Sequence, residues 1–143
     1  MVSKTYRHNV VDQKWYENEK LHRNNDLPAH IEYYGNGKIK CEKWYQNGKL
    51  HRQNRDLPAH IEYYENGKIM CKKWIKNGFY HRDISRDLPS VIYYYNDGDI
   101  MSQGWWRNDM LNSDQDIPTR IEYHDYSKIS HKEYVFEGKF MWV

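Results

Sequence analysis

A single phrase recurs four times along this chain: Trp-x-x-Asn-Gly-x-Leu-His-Arg, a variable stretch, Asp-Leu-Pro, then x-x-Ile-x-Tyr-Tyr-x-Asn-Gly-x-Ile. The copies open at Trp15, Trp44, Trp74 and Trp105, so successive units span 29, 30 and 31 residues, and a partial fifth opens at Tyr134. A period of this length means stacked supersecondary units, each resting on its neighbours because none buries its apolar surface alone. We therefore read one repeat domain over residues 1–143. It comprises an N-terminal partial repeat or cap at 1–14, repeats at 15–43, 44–73, 74–104 and 105–133, and a C-terminal partial repeat or cap at 134–143.

Turn chemistry defines the local fold. Asn-Gly stands at 36–37, 47–48, 66–67 and 77–78 between stretches rich in Tyr, Trp and Ile, with weaker versions at Asn18-Glu19, Asp97-Gly98, Asn108-Asp109 and Tyr126-Ser127. Both central residues of a type I′ turn need positive φ, which Asn tolerates and Gly adopts freely, so each pair predicts a two-residue hairpin. Counting outward from Asn66-Gly67 pairs Glu65 with Lys68, Tyr64 with Ile69, Tyr63 with Met70, Ile61 with Lys72 and Ala59 with Trp74.

Alternation then places Ala59, Ile61, Tyr63, Met70 and Trp74 on one face. Ile31, Ile61, Ile92 and Ile121 do not vary between copies, nor do Tyr33, Tyr63, Tyr94 and Tyr123, so we read this as the core face. The opposite face, with His60, Glu62, Cys71 and Lys73, reads as solvated. Two strand legs per repeat give an all-β, extended, twisted antiparallel sheet of tandem hairpins. Flat, coiled and rolled forms all fit the pattern. Equivalent residues of adjacent repeats lie two strand spacings apart, roughly 9.6 Å, beyond the ~7 Å that a disulfide spans. Cys41 and Cys71 are thus expected to stay reduced.

Asp26-Leu27-Pro28, Asp56-Leu57-Pro58, Asp87-Leu88-Pro89 and Asp116-Ile117-Pro118 restart a strand, because Pro cannot donate to a ladder. The apolar residue before each Pro is expected to fold back over the sheet as a lid. The Asp is expected to accept backbone N–H groups as an Asx-turn or to pair with an Arg of its own repeat.

Tyr and Trp, at 14 and 6 residues, outnumber the 3 Phe, so amphipathic rings carry the burial. Net charge is +2 with signs interleaved, which gives little general attraction to polyanions. No apolar stretch approaches a transmembrane span, and residues 1–10 lack the apolar core of a secretory signal. An intracellular protein is expected, with no metal and no cofactor.

Two ladders carry candidate chemistry. His22-Arg23, His51-Arg52 and His81-Arg82, replaced by Asn112-Ser113 in the fourth copy, form either a row of cations for an anionic partner or a structural row. We favour the structural row, with each Arg tied to Asp and each His packed beside Trp. The ladder Trp15, Trp44, Trp74 and Trp105 is read as core in preference to a stacking platform. Trp106 takes a slot held by Tyr16, Tyr45 and Ile75, and is the better contact candidate. No phosphate loop, nucleophile elbow or His-Glu-x-x-His motif occurs, so the chain is not read as an enzyme.

Tandem units such as Tyr34-Gly35-Asn36-Gly37-Lys38 and Tyr45-Gln46-Asn47-Gly48-Lys49 resemble MORN-type repeats, particularly the variant of antitoxin-like bacterial proteins. The longer unit with Asp-Leu-Pro-Ala resembles repeat proteins multiplied in mimivirus-like giant DNA viruses; together these likenesses cover Trp15 to about Ile129. With 8 Gly and a longer loop, the chain departs from the usual MORN pattern. The resemblance implies stacked hairpins, protein–protein scaffolding and, for a viral member, the host cytoplasm or the virion. The function expected is a non-enzymatic protein-binding or assembly module whose partner is another protein or a second copy. Binding of nucleic acid or anionic lipid through the His-Arg ladder is the alternative, as is antitoxin-like neutralisation of a partner.

Overall fold

A computed structural model of the chain describes every residue except 1, 8–9, 55–56, 83–87, 112–116, 125–127, 137–138 and 143. Asp56, Asp87, Asp116, the Asn112-Ser113 pair and the Tyr126-Ser127 turn lie outside the described residues. The fold is all-β and antiparallel.

Long hairpins form the main sheet: β4 (His30–Tyr33) with β5 (Ile39–Lys43), β8 (His60–Tyr63) with β9 (Ile69–Lys73), β12 (Val91–Tyr94) with β13 (Ile100–Gly104), and β16 (Arg120–His124) with β17 (Lys128–Phe136). Strands β1 (Val2–Arg7) and β2 (Val10–Glu17) add one edge, and β18 (Lys139–Trp142) adds the other. The path is β1-β2-β4-β5-β8-β9-β12-β13-β16-β17-β18, each strand beside its sequence neighbour in the sheet.

After each of the first three long hairpins the chain turns at Trp and makes a two-residue-per-strand hairpin. These are β6 (Tyr45–Gln46) with β7 (Lys49–Leu50), β10 (Ile75–Lys76) with β11 (Phe79–Tyr80), and β14 (Trp106–Arg107) with β15 (Met110–Leu111); β3 (Lys20–Leu21) pairs likewise with the end of β2. Successive short hairpins are tied to one another by backbone bonds, as from Gly48 N–H to Leu21 C=O (2.8 Å) and from Gly78 N–H to Leu50 C=O (2.9 Å).

The Asn-Gly pairs make two kinds of turn. In the short hairpins Asn47 and Gly48 have φ of 51° and 81°, and Asn77 and Gly78 have 54° and 94°. Asn18-Glu19 (47° and 62°) and Asn108-Asp109 (50° and 59°) match them, so all four have the paired positive φ of type I′. In the long hairpins only the glycine is left-handed, with Gly37 at 82° and Gly67 at 90°. There Gly67 N–H donates to Tyr64 C=O (2.8 Å) and Tyr64 N–H to Lys68 C=O (2.8 Å). That is a three-residue loop, a type I turn closed by a glycine bulge. The expected two-residue turn at Asn66-Gly67 is therefore corrected. Tyr63 pairs with Ile69 and not with Met70, and the shift falls between Glu62 and Tyr63. Beyond the bulge the predicted register holds, with Ile61 opposite Lys72 and Glu62 opposite Cys71.

The deepest burial follows the line where the long hairpins meet the tryptophans. Ala29, Ala59, Ser90 and Thr119 are buried, as are Trp44, Trp74 and Trp105. The carbonyl of each small residue accepts the backbone N–H of the preceding Trp, for example Trp44 to Ala59 (2.9 Å) and Trp74 to Ser90 (2.8 Å). Tyrosine hydroxyls stitch neighbouring repeats: Tyr34 to Tyr63 C=O (2.5 Å), Tyr64 to Tyr94 C=O (2.6 Å), Tyr95 to Tyr123 C=O (2.9 Å). A second set runs from Tyr63 to Glu42 (2.7 Å) and from Tyr123 to Gln103 (2.7 Å). Phe would bury as well but would leave those acceptors unmet, which accounts for the preference for Tyr.

Two further expectations are corrected. The face carrying His60, Glu62, Cys71 and Lys73 is not solvated, since Cys71 is 1% exposed and Cys41 5%. Long charged side chains bonded to one another across strands cover the short thiols. The leucines of the Asp-Leu-Pro loops are not lids: Leu27, Leu57 and Leu88 are about 40% exposed. The place over the rings of Trp15, Trp44 and Trp74 is taken by an arginine.

Candidate functional site

The cation ladder is built into the frame. The guanidinium groups of Arg23, Arg52 and Arg82 lie over the rings of Trp15, Trp44 and Trp74 at 3.9, 4.0 and 3.9 Å. Each also donates from Nη1 to a proline carbonyl, that of Pro28 (3.1 Å), Pro58 (3.1 Å) or Pro89 (3.0 Å). The remaining fork of Arg52 holds Asp26 through Nε (2.9 Å) and Nη2 (2.7 Å). Asp26 belongs to the preceding repeat, which corrects the expectation that Arg pairs within its own repeat. The reason is the stack geometry, which lays the loop of one repeat against the short hairpin of the next. The histidines serve as acceptors, with Asn47 N–H on His22 Nδ1 (3.1 Å) and Asn77 N–H on His51 Nδ1 (3.2 Å). His81 bridges to Arg107 through the backbone.

On the main sheet, the first two long hairpins carry a closed polar cluster. Lys73 Nζ meets Glu62 at 2.8 Å, His60 Nε2 meets Glu62 at 3.1 Å and Cys41 Sγ at 3.2 Å. Lys43 pairs with Glu32 at 3.1 Å, and His30 pairs with Asp12. Burial is the largest influence on His30 and His60 and holds both below the ordinary imidazole range, against the opposing pull of Asp12 and Glu62. The hydrogen bond from His60 and those from Lys73 bring the Glu62 carboxyl down to about 2. Burial pushes the thiols of Cys41 and Cys71 up to about 12, so both are protonated near neutrality and poor nucleophiles.

The third long hairpin breaks this cluster. Val91 stands where His30 and His60 stand, Tyr93 where Glu32 and Glu62 stand, Ser102 where Cys41 and Cys71 stand, and Gly104 where Lys43 and Lys73 stand. Loss of the lysine opens a cleft of about 610 Å³ whose walls include Tyr80, Val91, Tyr93, Gly104, Trp106 and Leu111. Trp106 and Tyr80 face each other with ring centroids 6.2 Å apart and planes tilted by 41°. The fit at Gly104 is close: a Cβ there would lie 3.1 Å from Trp106 Nε1. Ser90, in place of Ala29 and Ala59, anchors the arrangement by accepting Trp106 N–H on its hydroxyl (2.9 Å) and donating to Gly104 C=O (3.3 Å). The rim is charged with both signs: Lys73 lies 5.9 Å from the Tyr93 ring, and Arg120 and Glu133 stand on the far side.

Of the residues singled out in the sequence, Trp106 lines this cleft; Arg23 and His22 line a separate one at the first repeat, and His51, Arg52 and His81 border the small gap beside Trp74. The structure does not bring the histidine–arginine pairs into one cluster. Tyr80, Tyr93 and Gly104 escaped the sequence reading. The signal for Tyr93 and Gly104 is the simultaneous loss of His, Glu and Lys in one copy, on the face taken to be solvated. No helix among the described residues is long and apolar enough to cross a membrane. Compared with protein-family models, curated proteins and solved structures, the chain matches none.

Proposed function

We propose that this chain is a non-enzymatic protein-binding repeat module, and that the Trp106 cleft receives an apolar side chain of its partner. The observation that supports this is Gly104, the residue that leaves Trp106 and Tyr80 open where the two preceding hairpins are sealed by lysine–glutamate pairs. Aromatic walls around an apolar floor, rimmed by mixed charge, match the anchor pockets that dominate protein interfaces. The cation ladder offers less to a polyanion, because each guanidinium is held over a tryptophan ring and on a proline carbonyl, and that of Arg52 by Asp26 as well. The resemblance of the repeat adds a viral setting to this reading, in the host cytoplasm or the virion.

The test is capture of partners from a nuclease-treated lysate of the source cells, at low and physiological salt, by the wild type and by Trp106→Tyr. The variant restores the residue of the first two repeats and is expected to keep the fold. A stoichiometric protein retained through the salt wash by the wild type and depleted about tenfold by the variant is the expected result. Equal capture by both would overturn the cleft assignment. Partners that vanish with nuclease or salt would instead favour an anionic ligand on the His-Arg ladder.

A further inference from the structure

One interface, between the first and second repeats, has one-sided chemistry where the short hairpin of the second meets the loop of the first. From the second repeat, the Trp44 indole N–H donates to Asp26 C=O (3.0 Å), and Arg52 grips the Asp26 carboxylate with Nε and Nη2. Gln46 donates to Arg23 C=O (3.3 Å), Gly48 N–H to Leu21 C=O (2.8 Å) and Asn47 N–H to His22 Nδ1 (3.1 Å). Where the Trp and short hairpin of the second repeat meet the first, the second repeat is thus a set of donors, and the loop and hairpin of the first repeat are the matching set of acceptors.

The first repeat presents the equivalent surface to an open cleft of about 790 Å³ lined by Val2, Trp15, Asn18, Glu19 and Arg23 among others. It is preorganised as in the second repeat. Arg23 lies 3.9 Å over the Trp15 ring with Nη1 on Pro28 C=O (3.1 Å), and the Asn18-Glu19 turn has the same paired positive φ as Asn47-Gly48. Among the described residues, Trp15 Nε1 and the Nε–Nη2 edge of Arg23 meet none of the acceptors that serve Trp44 and Arg52.

We propose that this cleft docks an aspartate-bearing turn of a protein partner, seated as Asp26 is seated on the second repeat. The partner's carboxylate lies across Nε and Nη2 of Arg23, the carbonyl of the same residue accepts the Trp15 indole N–H, and an upstream carbonyl accepts the Glu19 N–H. A bidentate guanidinium–carboxylate pair with a fixed ring beneath it gives geometric selectivity as well as attraction. Glu17 and Glu19 replace the Gln46 and Gly48 of the second repeat, and Glu17 sits 3.4 Å from His22. Those two carboxylates repel a run of acids, so the ligand is a single Asp within a turn and not a nucleic acid or an anionic membrane. This surface is separate from the Trp106 cleft, and the two proposals fail independently.

The full chain is titrated with a peptide spanning residues 21–28 of this sequence, Leu-His-Arg-Asn-Asn-Asp-Leu-Pro, and with its Asp→Asn counterpart, while the Trp15 indole N–H resonance is followed by NMR. The expected result is a shift of that resonance with the Asp peptide and about tenfold weaker binding of the Asn peptide. Arg23→Lys, which keeps the charge but loses the fork, weakens the Asp peptide similarly. Because Arg23 also braces Trp15, a second variant, Glu17→Gln with Glu19→Gly, copies the second repeat in an exposed turn and is expected to tighten binding several-fold. Equal affinity for the two peptides, an unmoved Trp15 resonance, or no gain from the second variant would each overturn the proposal.

Discussion

Asn66 and Asn47 sit in the same dipeptide and do different work. Asn47 holds φ at 51°, whereas Asn66 stays at negative φ and turns its side-chain oxygen to Lys68 N–H (2.9 Å). Replacing Asn47 with Ala removes the short polar side chain whose local hydrogen bonding makes the left-handed region tolerable, at about 1 kcal/mol. Asn66→Ala gives up exposed hydrogen bonds, at about 0.5 kcal/mol. Gly67 has φ of +90° and open space around it, so Gly67→Ala costs about 1–2 kcal/mol through the backbone alone. Urea midpoints of the three variants should rank Asn66→Ala, Asn47→Ala, Gly67→Ala from mildest to most severe. Equal losses at the two asparagines would mean that both turns are type I′. The same residue scale explains Trp106. Its slot is visible in the sequence as the exception to Tyr16, Tyr45 and Ile75, but nothing local marks Tyr80 as its opposite wall, because that contact joins two repeats.

At the scale of elements, the stack is held by what crosses from one unit to the next: backbone bonds between short hairpins, tyrosine hydroxyls between long ones, and the Asp26–Arg52 fork. Asp26 is partly exposed and Arg52 largely buried, so the pair sits between a surface bridge and a desolvated one. A double-mutant cycle with Asp26→Asn and Arg52→Lys should return a coupling of about 1 kcal/mol, and about half of that in high salt. A coupling near zero would show that the guanidinium serves Trp44 and Pro58 alone. The pairing pattern of the strands was legible, since alternation and turn position count outward to Ile61 and Lys72. The partner of the arginine was not, since both its own and the neighbouring repeat offer an identical Asp-Leu-Pro.

For the whole molecule, the polar cluster beneath β4 to β9 sets how the fold responds to acid. His30 and His60 are held neutral in the folded state, so the unfolded chain binds protons first as pH falls below about 6.5, and stability drops with them. Glu62, brought down to about 2, contributes stability that is complete above its ordinary value of 4.5 and is lost as pH falls toward 2. Its carboxylate is 34% exposed, so solvent screening reduces that contribution to on the order of 1 kcal/mol. Urea midpoints measured from pH 8 to pH 3 should fall in two stages. His30→Gln with His60→Gln should flatten the upper stage, and Glu62→Gln the lower. A flat profile in the wild type would mean that the cluster is open to water.

The amino-acid sequence by itself determined the repeat length, the all-β hairpin fold, the mid-strand register and the separation of Cys41 from Cys71. These rest on properties a residue carries with it: the φ range of Asn and Gly, the missing N–H of Pro, and the two-residue alternation of a strand. Only the tertiary structure decided which Asn-Gly pair takes a bulge, which face is buried, which Asp each Arg holds, and where a missing lysine becomes a cleft. The last three of those outcomes depend on a neighbour one repeat away, and identical units carry no local mark of which copy a side chain will meet.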